Sequence, residues 1–200
     1  MTPPIQAKSE VILSSGGINT PNLLMLSGIG DEAQLRAHGI KTLLHAPEVG
    51  QIFQDHILHG GCIREPKEHV PHRNSAANAA GFIKSQVSLA SPDVHLVQIE
   101  LPYPSDVVGK RYAPPNTSWA LCAGLVAPKS RGEVRLKSAN PADRPIVDAR
   151  FLNHPDDVKA LAFGIDLARE IGNSAAMSAF VKREVAPGQK LTGQDMENFV

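Results

Sequence analysis

The chain has 200 residues, with 20 Lys+Arg balanced by 20 Asp+Glu and 42% hydrophobic residues. That content supports a packed core and argues against global disorder, and the neutral balance supplies no electrostatic footprint for nucleic acid or an anionic membrane. No apolar run reaches the ~20 residues of a membrane-spanning helix, and the opening MTPPIQAKSE carries no charged-then-apolar leader pattern.

In chain order, the first predicted element is a strand over residues 10–15 (EVILSS). Val11, Ile12 and Leu13 form the continuous apolar run of a strand buried on both faces. Gly16-Gly17 ends it. Thr20-Pro21 then reads as N-cap and first residue of a helix, which Gly28 and Gly30 stop. Asp31 with Gln34 has the spacing of a capping box for a second short helix closed by Gly39. Residues 42–46 (TLLHA) read as a strand and PEVGQ as a turn. From the glycine spacing alone, residues 14–17 could face a ligand or simply make a tight turn.

From about residue 57 the texture changes. HILHGGCIR, DVHLVQIEL, SWALCAGLV, GEVRLKS and PIVDARF read as strands, several with the alternation of a sheet packed on one side. The breaks EPKEHVPHR, PYPSD, YAPPN and NPADRP predict an antiparallel sheet with long connections. HPDDVKALAFGIDLAREIGN then puts Val158, Leu161, Ala162, Ile165 and Ala168 on one helical stripe. Pro155, Asp156 and Asp157 suit its start and Arg169 its end. A short helix around 175–182 and another from about Thr192 follow.

Lys129, Arg131, Arg135 and Lys137 alternate as the wet face of a strand does. Cys62 and Cys122 lie far apart in apolar surroundings, with no CxxC. This is the pattern of buried structural thiols and fits a reducing, cytoplasmic location. Asp55, His56 and His59 in DHILH have no third nitrogen or sulfur ligand at a suitable spacing, so no metal is expected. His95 and Glu100 are five residues apart, an odd offset that sends them to opposite faces of a strand. Trp119 and Phe82 are expected in the core. Neither a nucleophile elbow nor a phosphate loop occurs.

Three segments carry a family resemblance. GGINTPNLLMLSGIG resembles the second signature of the glucose-methanol-choline (GMC) flavin oxidoreductases. PEVGQIFQDH resembles that family's Gly-x-Asn-Leu-x-Asp-His segment, with Ile52 where Asn is common and Phe53 for Leu. SRGEVRLKSANPADRPIVDARFLNHPDDVKAL resembles the start of its C-terminal region. The resemblance implies an FAD-dependent oxidoreductase that passes hydride from an alcohol CH–OH to flavin, with the electron acceptor open.

It implies an α/β plus α+β fold. Residues 1–56 would be the remnant of a Rossmann-like FAD-binding domain, 57–150 an antiparallel-sheet substrate domain, and 151–200 a helical C-terminal segment. Ser14, Ser15, Gly16, Gly17, Asn19, Thr20, Pro21, Asp55 and His56 would lie at the cofactor, and His95 or Glu100 at the substrate, under a sheet that roofs the flavin. The family's GxGxxG turn is not found in the sequence, and its catalytic histidine would fall after Val200. The resemblance therefore implies an internal slice, inactive alone and binding FAD weakly or not at all. Its partner would be a complementary FAD-domain segment. The alternative is a non-catalytic interaction module from a truncated gene.

Overall fold

A computed structural model describes residues 5–68, 71, 77 and 79–200. The predicted break at 65–73 lies partly outside the described residues. The chain divides into two units, one of residues 1–54 with 131–150, the other of residues 55–130 with 151–200. The sequence reading kept 131–150 with the large sheet; the backbone pairing puts it elsewhere. Phe53 and Gly132 exchange N–H···O bonds of 2.9 and 2.7 Å, and the Val134 N–H donates to the Gly50 carbonyl at 2.6 Å.

In the first unit, α1 (Gly16–Leu26) leads to β1 (Ile29–Gly30), α2 (Glu32–Ala37) and β2 (Leu44–His45). β1 and β2 pair in parallel, Ile29 opposite Leu44. The α2 cap follows the sequence: Asp31 Oδ1 accepts from the Gln34 N–H at 2.9 Å. The Gln34 side chain does not close the box but accepts from the Leu136 N–H at 2.8 Å. Met25, Leu35 and Leu136 form a small core. β7 (Glu133–Arg135) and β8 (Ile146–Asp148) make an antiparallel pair. Around β7, Arg131, Arg135 and Lys137 are exposed while Gly132, Val134 and Leu136 are buried, the alternation read from the sequence.

Two expectations fail here. Residues 10–14 form no strand, and Val11 and Ile12 are 75% and 77% exposed. A strand needs a neighbour to satisfy its N–H and C=O groups, and among the described residues none pairs with this run. Second, α1 begins at Gly16 rather than Thr20, so Pro21 lies inside it. Gly16 enters with φ +82°, a conformation that L side chains rarely adopt. Thr20 caps from within the helix, its Oγ1 accepting from the Ser15 N–H at 2.9 Å.

The second unit is built on one antiparallel sheet in the order β4-β5-β6-β3-β9. Its strands are β3 (Ile57–Pro66), β4 (Ala79–Ile83), β5 (Val94–Ile99), β6 (Trp119–Leu125) and β9 (Val181–Ala186). α4 (Pro155–Gly172) covers one face. It approaches closely because Gly164 has no side chain: a Cβ there would stand 2.9 Å from Val94 Cγ1 and 3.0 Å from Ala123 Cβ. Leu161, Ile165 and Ala168 of the predicted stripe are fully buried. The leucine and isoleucine side chains so buried contribute about 1.5–3 kcal/mol each.

α3 (Asp106–Tyr112) and α5 (Gln194–Phe199) complete this core through Val108, Met196 and Phe199. The helix expected at 175–182 is one 3-10 turn, Ala175–Met177, followed by β9. Val181, Arg183, Glu184 and Ala186 pair with β3, and cross-strand bonding overrides a weak helical pattern. Phe82, expected in the core, is 65% exposed on β4 at the sheet edge, whereas Trp119 packs against the core.

Candidate functional site

The residues predicted at the cofactor fall in both units. In the first, Ser14, Ser15, Gly16, Gly17 and Asn19 are exposed, and Thr20 and Pro21 half-buried. A Cβ built on Gly16 or Gly17 meets no heavy atom within 4 Å. The turn is therefore open rather than packed against its own side chains. The first N–H groups of a helix have no intrahelical acceptor and sit at the positive end of its dipole. α1 thus presents donors beside two glycines that leave room for a bulky acceptor. Such a wall fits a nucleotide cofactor. It also fits other anions.

In the second unit, Asp55 and His56 are exposed just ahead of β3, and Asp55 Oδ1 accepts from the His56 N–H at 2.8 Å. The His56 ring lies edge-on to His95, 6.4 Å between centroids, and Phe82 stands edge-on to His95 at 6.0 Å. Phe82 and His95 are directly paired across β4 and β5, and His95 faces Gly124 of β6. A Cβ on Gly124 would strike His95 Nε2 and stand 2.9 Å from the Ile57 carbonyl, so only glycine admits the imidazole here. Burial, then the nearby His56, hold His95 below the ordinary histidine range. Its Nε2 is enclosed with no hydrogen-bond partner among the described residues. This cluster is on the sheet face away from α4, since the α4 face carries Val94 and Ala123.

Glu100 is elsewhere. It lines a cavity of about 660 Å³ at the other end of β5, with Gln98, Thr117, Trp119 and Phe180. His95 does not line it. His59 is not free either: its two ring nitrogens bond to Gly61 and Phe199. Among the described residues, no group of three His, Cys, Asp or Glu side chains is placed to hold a metal, and no helix is long and apolar enough to cross a membrane. Sequence reasoning missed Gly124 and the Phe82–His95 pair; only strand register brings them together.

Two family models, both described as GMC oxidoreductase, match residues 2–58 and 128–199 and together cover well over half of the chain. The chain belongs to the GMC oxidoreductase family. It is 34% identical to the choline oxidase of Arthrobacter globiformis over 98% of this chain and 36% of that protein. It is also 34% identical to an alcohol dehydrogenase [acceptor] of Pseudomonas putida, over 93% of this chain and 38% of that one. The chain therefore spans well under half the length of these relatives. Among solved structures, pyridoxine 4-oxidase from Mesorbium loti superposes with a TM-score of 0.84 at 27% identity, over 92% of this chain and 36% of that one. The formate oxidase of Aspergillus oryzae reaches 0.77 at 23% identity, over 96% of this chain and 42% of that one, a likeness of fold alone.

Proposed function

We propose that this chain forms part of an FAD-dependent oxidoreductase acting on the CH–OH group of a small alcohol. Family membership and relatives named for choline and alcohol oxidation support the reaction class. The observation that carries the cofactor wall is the unobstructed space at Gly16 and Gly17 where α1 begins. Bound FAD would supply the hydride-accepting chemistry. The chain's own residues bind and orient: within the first unit, residues 14–21 offer the free N–H groups at the start of α1 and the serine hydroxyls to the cofactor, while Asp55 and His56 of the other unit are proposed as cofactor contacts from the family resemblance alone. His95 and Glu100 are carried as substrate contacts. They lie at opposite ends of β5, so a single small substrate meets one of them. None of these residues is assigned as the general base.

The test is an amide NMR titration of the chain with FAD. Shifts concentrated at residues 14–21 and weakened by Gly17→Val support the wall. Shifts centred on residues outside 14–21, or spread evenly over both units, overturn it. Turnover of an alcohol by the same sample would contradict the expectation that the proton acceptor lies outside these residues.

A further inference from the structure

We propose that His59 is an acid-sensitive latch that holds α5 on the sheet and releases it when the imidazole takes up a second proton. The Gly61 N–H donates to His59 Nδ1 at 3.1 Å. A backbone N–H can only donate, so Nδ1 must be bare. Nε2 then carries the proton and donates to the Phe199 carbonyl at 2.7 Å. One neutral tautomer satisfies both bonds. The latch joins residues 140 positions apart, across the irregularity where β3 shifts register against β6 between His59 and Cys62.

The packing around it is specific to this arrangement. The His59 and Phe199 rings are 4.9 Å apart, and Tyr112 of α3 meets Phe199 edge-on at 6.3 Å. A Cβ on Gly61 would strike His59 Cε1 and stand 2.6 Å from Phe199 Cζ, so the bulge glycine makes room for both rings. Met196 and Phe199 of α5 are buried and Val200 after it packs partly against the core, while the His59 bond holds the carbonyl of the last residue of α5.

Protonating Nδ1 sets N–H against N–H at Gly61 and places a charge among aromatic rings. Titratable groups on the elements packed here are Tyr103, Asp106, Lys110, Arg111 and Tyr112 in and before α3, Asp195 and Glu197 on α5, Cys122 on β6, Asp156, Asp157, Lys159, Asp166, Arg169 and Glu170 on α4, and Lys182, Arg183 and Glu184 on β9. None contributes to the shift of His59, whose pKa burial lowers, opposed in part by the Phe199 carbonyl. With the folded value depressed, the unfolded or released form takes the proton first. The latch is at full strength above the ordinary value of 6.5 and is lost as pH falls through the depressed one. The device needs no cofactor.

The experiment is hydrogen exchange of the chain between pH 7.5 and 4.5, with protection factors corrected for intrinsic rates. The Met196 and Val200 amides should lose protection by up to about tenfold per pH unit once His59 titrates, while α4 keeps its own. In His59→Gln, whose amide supplies one acceptor and one donor at every pH, α5 protection should not depend on pH. Equal pH dependence in both proteins, or none in the unsubstituted chain, overturns the latch. If His59→Gln does not fold, ring ¹⁵N shifts of the unsubstituted chain decide: a bare Nδ1 at pH 7.5 that titrates together with the α5 amides upholds the latch, and titration without movement of α5 sinks it.

Discussion

Asp157 ties the loop before β7 to the start of α4: Oδ1 accepts from the Lys129 N–H at 2.7 Å and Oδ2 from the Ser130 N–H at 2.8 Å. Ser130 answers by accepting, through Oγ, from the His154 N–H at 2.9 Å. With Asp157 only 3% exposed, these bonds have little competition from water. Asp157→Ala removes both acceptors and strands two backbone donors, which should cost about 2–4 kcal/mol. Asp157→Asn keeps one oxygen and should fall between. Urea unfolding followed by circular dichroism reads both, as a lower midpoint with unchanged slope.

Arg64 has no exposed surface, and its guanidinium lies 3.4 Å from Glu184, which Arg169 also grips through two bonds of 2.7 and 3.0 Å. Asn173 adds a third donor at 3.0 Å. Glu184→Leu leaves a buried cation with no counter-charge and should destabilise by about 3–5 kcal/mol. Arg64→Met combined with Glu184→Leu should recover the part of that loss due to Arg64, leaving the part due to Arg169, which still lacks its acceptor. Burial pushes the Glu184 pKa up, but its bonds to Arg169 and Asn173 and the field of both arginines prevail, and the net value is below the ordinary 4.5. Its contribution is therefore complete above pH 4.5 and lost as acid passes the depressed value. The pH midpoint of acid unfolding should rise in the Glu184 variant if unfolding is tracked at fixed urea.

Cys62 and Cys122 are both fully buried, and burial raises each thiol to about 12. The thiolate is the reactive form. At pH 8 a disulfide reagent should therefore modify neither residue in the native chain and both in guanidinium. Fast labelling of the folded chain would contradict the packing of β3 and β6.

The sequence made several of these elements legible because their signals are local. The α2 cap needs only Asp31 and Gln34, and α4 announces itself by Pro155, two acids and a stripe ending at Ala168. β3, β5 and β6 stood out as apolar-rich runs separated by proline-rich breaks. β4 hid because AAGFI has little β character, β9 because VKREVA is half charged, and α3 because DVVGKRY lies between prolines, although Ser105 caps it. Residues 10–15 misled for the converse reason: an apolar run predicts burial only when a partner strand exists. At the candidate site, the glycine turn was visible and its open face was not. The contacts of His59 with Phe199 and of His95 with Gly124 depend on register and on long-range closure, which no window of the sequence holds.

Ile52 has φ +54° and is 72% exposed, an arrangement that a β-branched side chain resists and that nothing in its burial rewards. It lies between Gly50, φ +85°, whose missing Cβ makes room for the Val134 carbonyl, and Phe53, which is bonded to Gly132 on both sides. These fixed neighbours hold Ile52 in the left-handed region. The GMC segment that this stretch resembles commonly has Asn at the position, and Asn tolerates left-handed backbone through its short polar side chain. Ile52→Asn should therefore stabilise the chain by about 1 kcal/mol, and Ile52→Gly by less, because glycine also loosens the unfolded state. Thermal unfolding should move up by a few degrees for Ile52→Asn. A fall in the midpoint would mean that the isoleucine side chain makes a contact worth more than the backbone strain it causes.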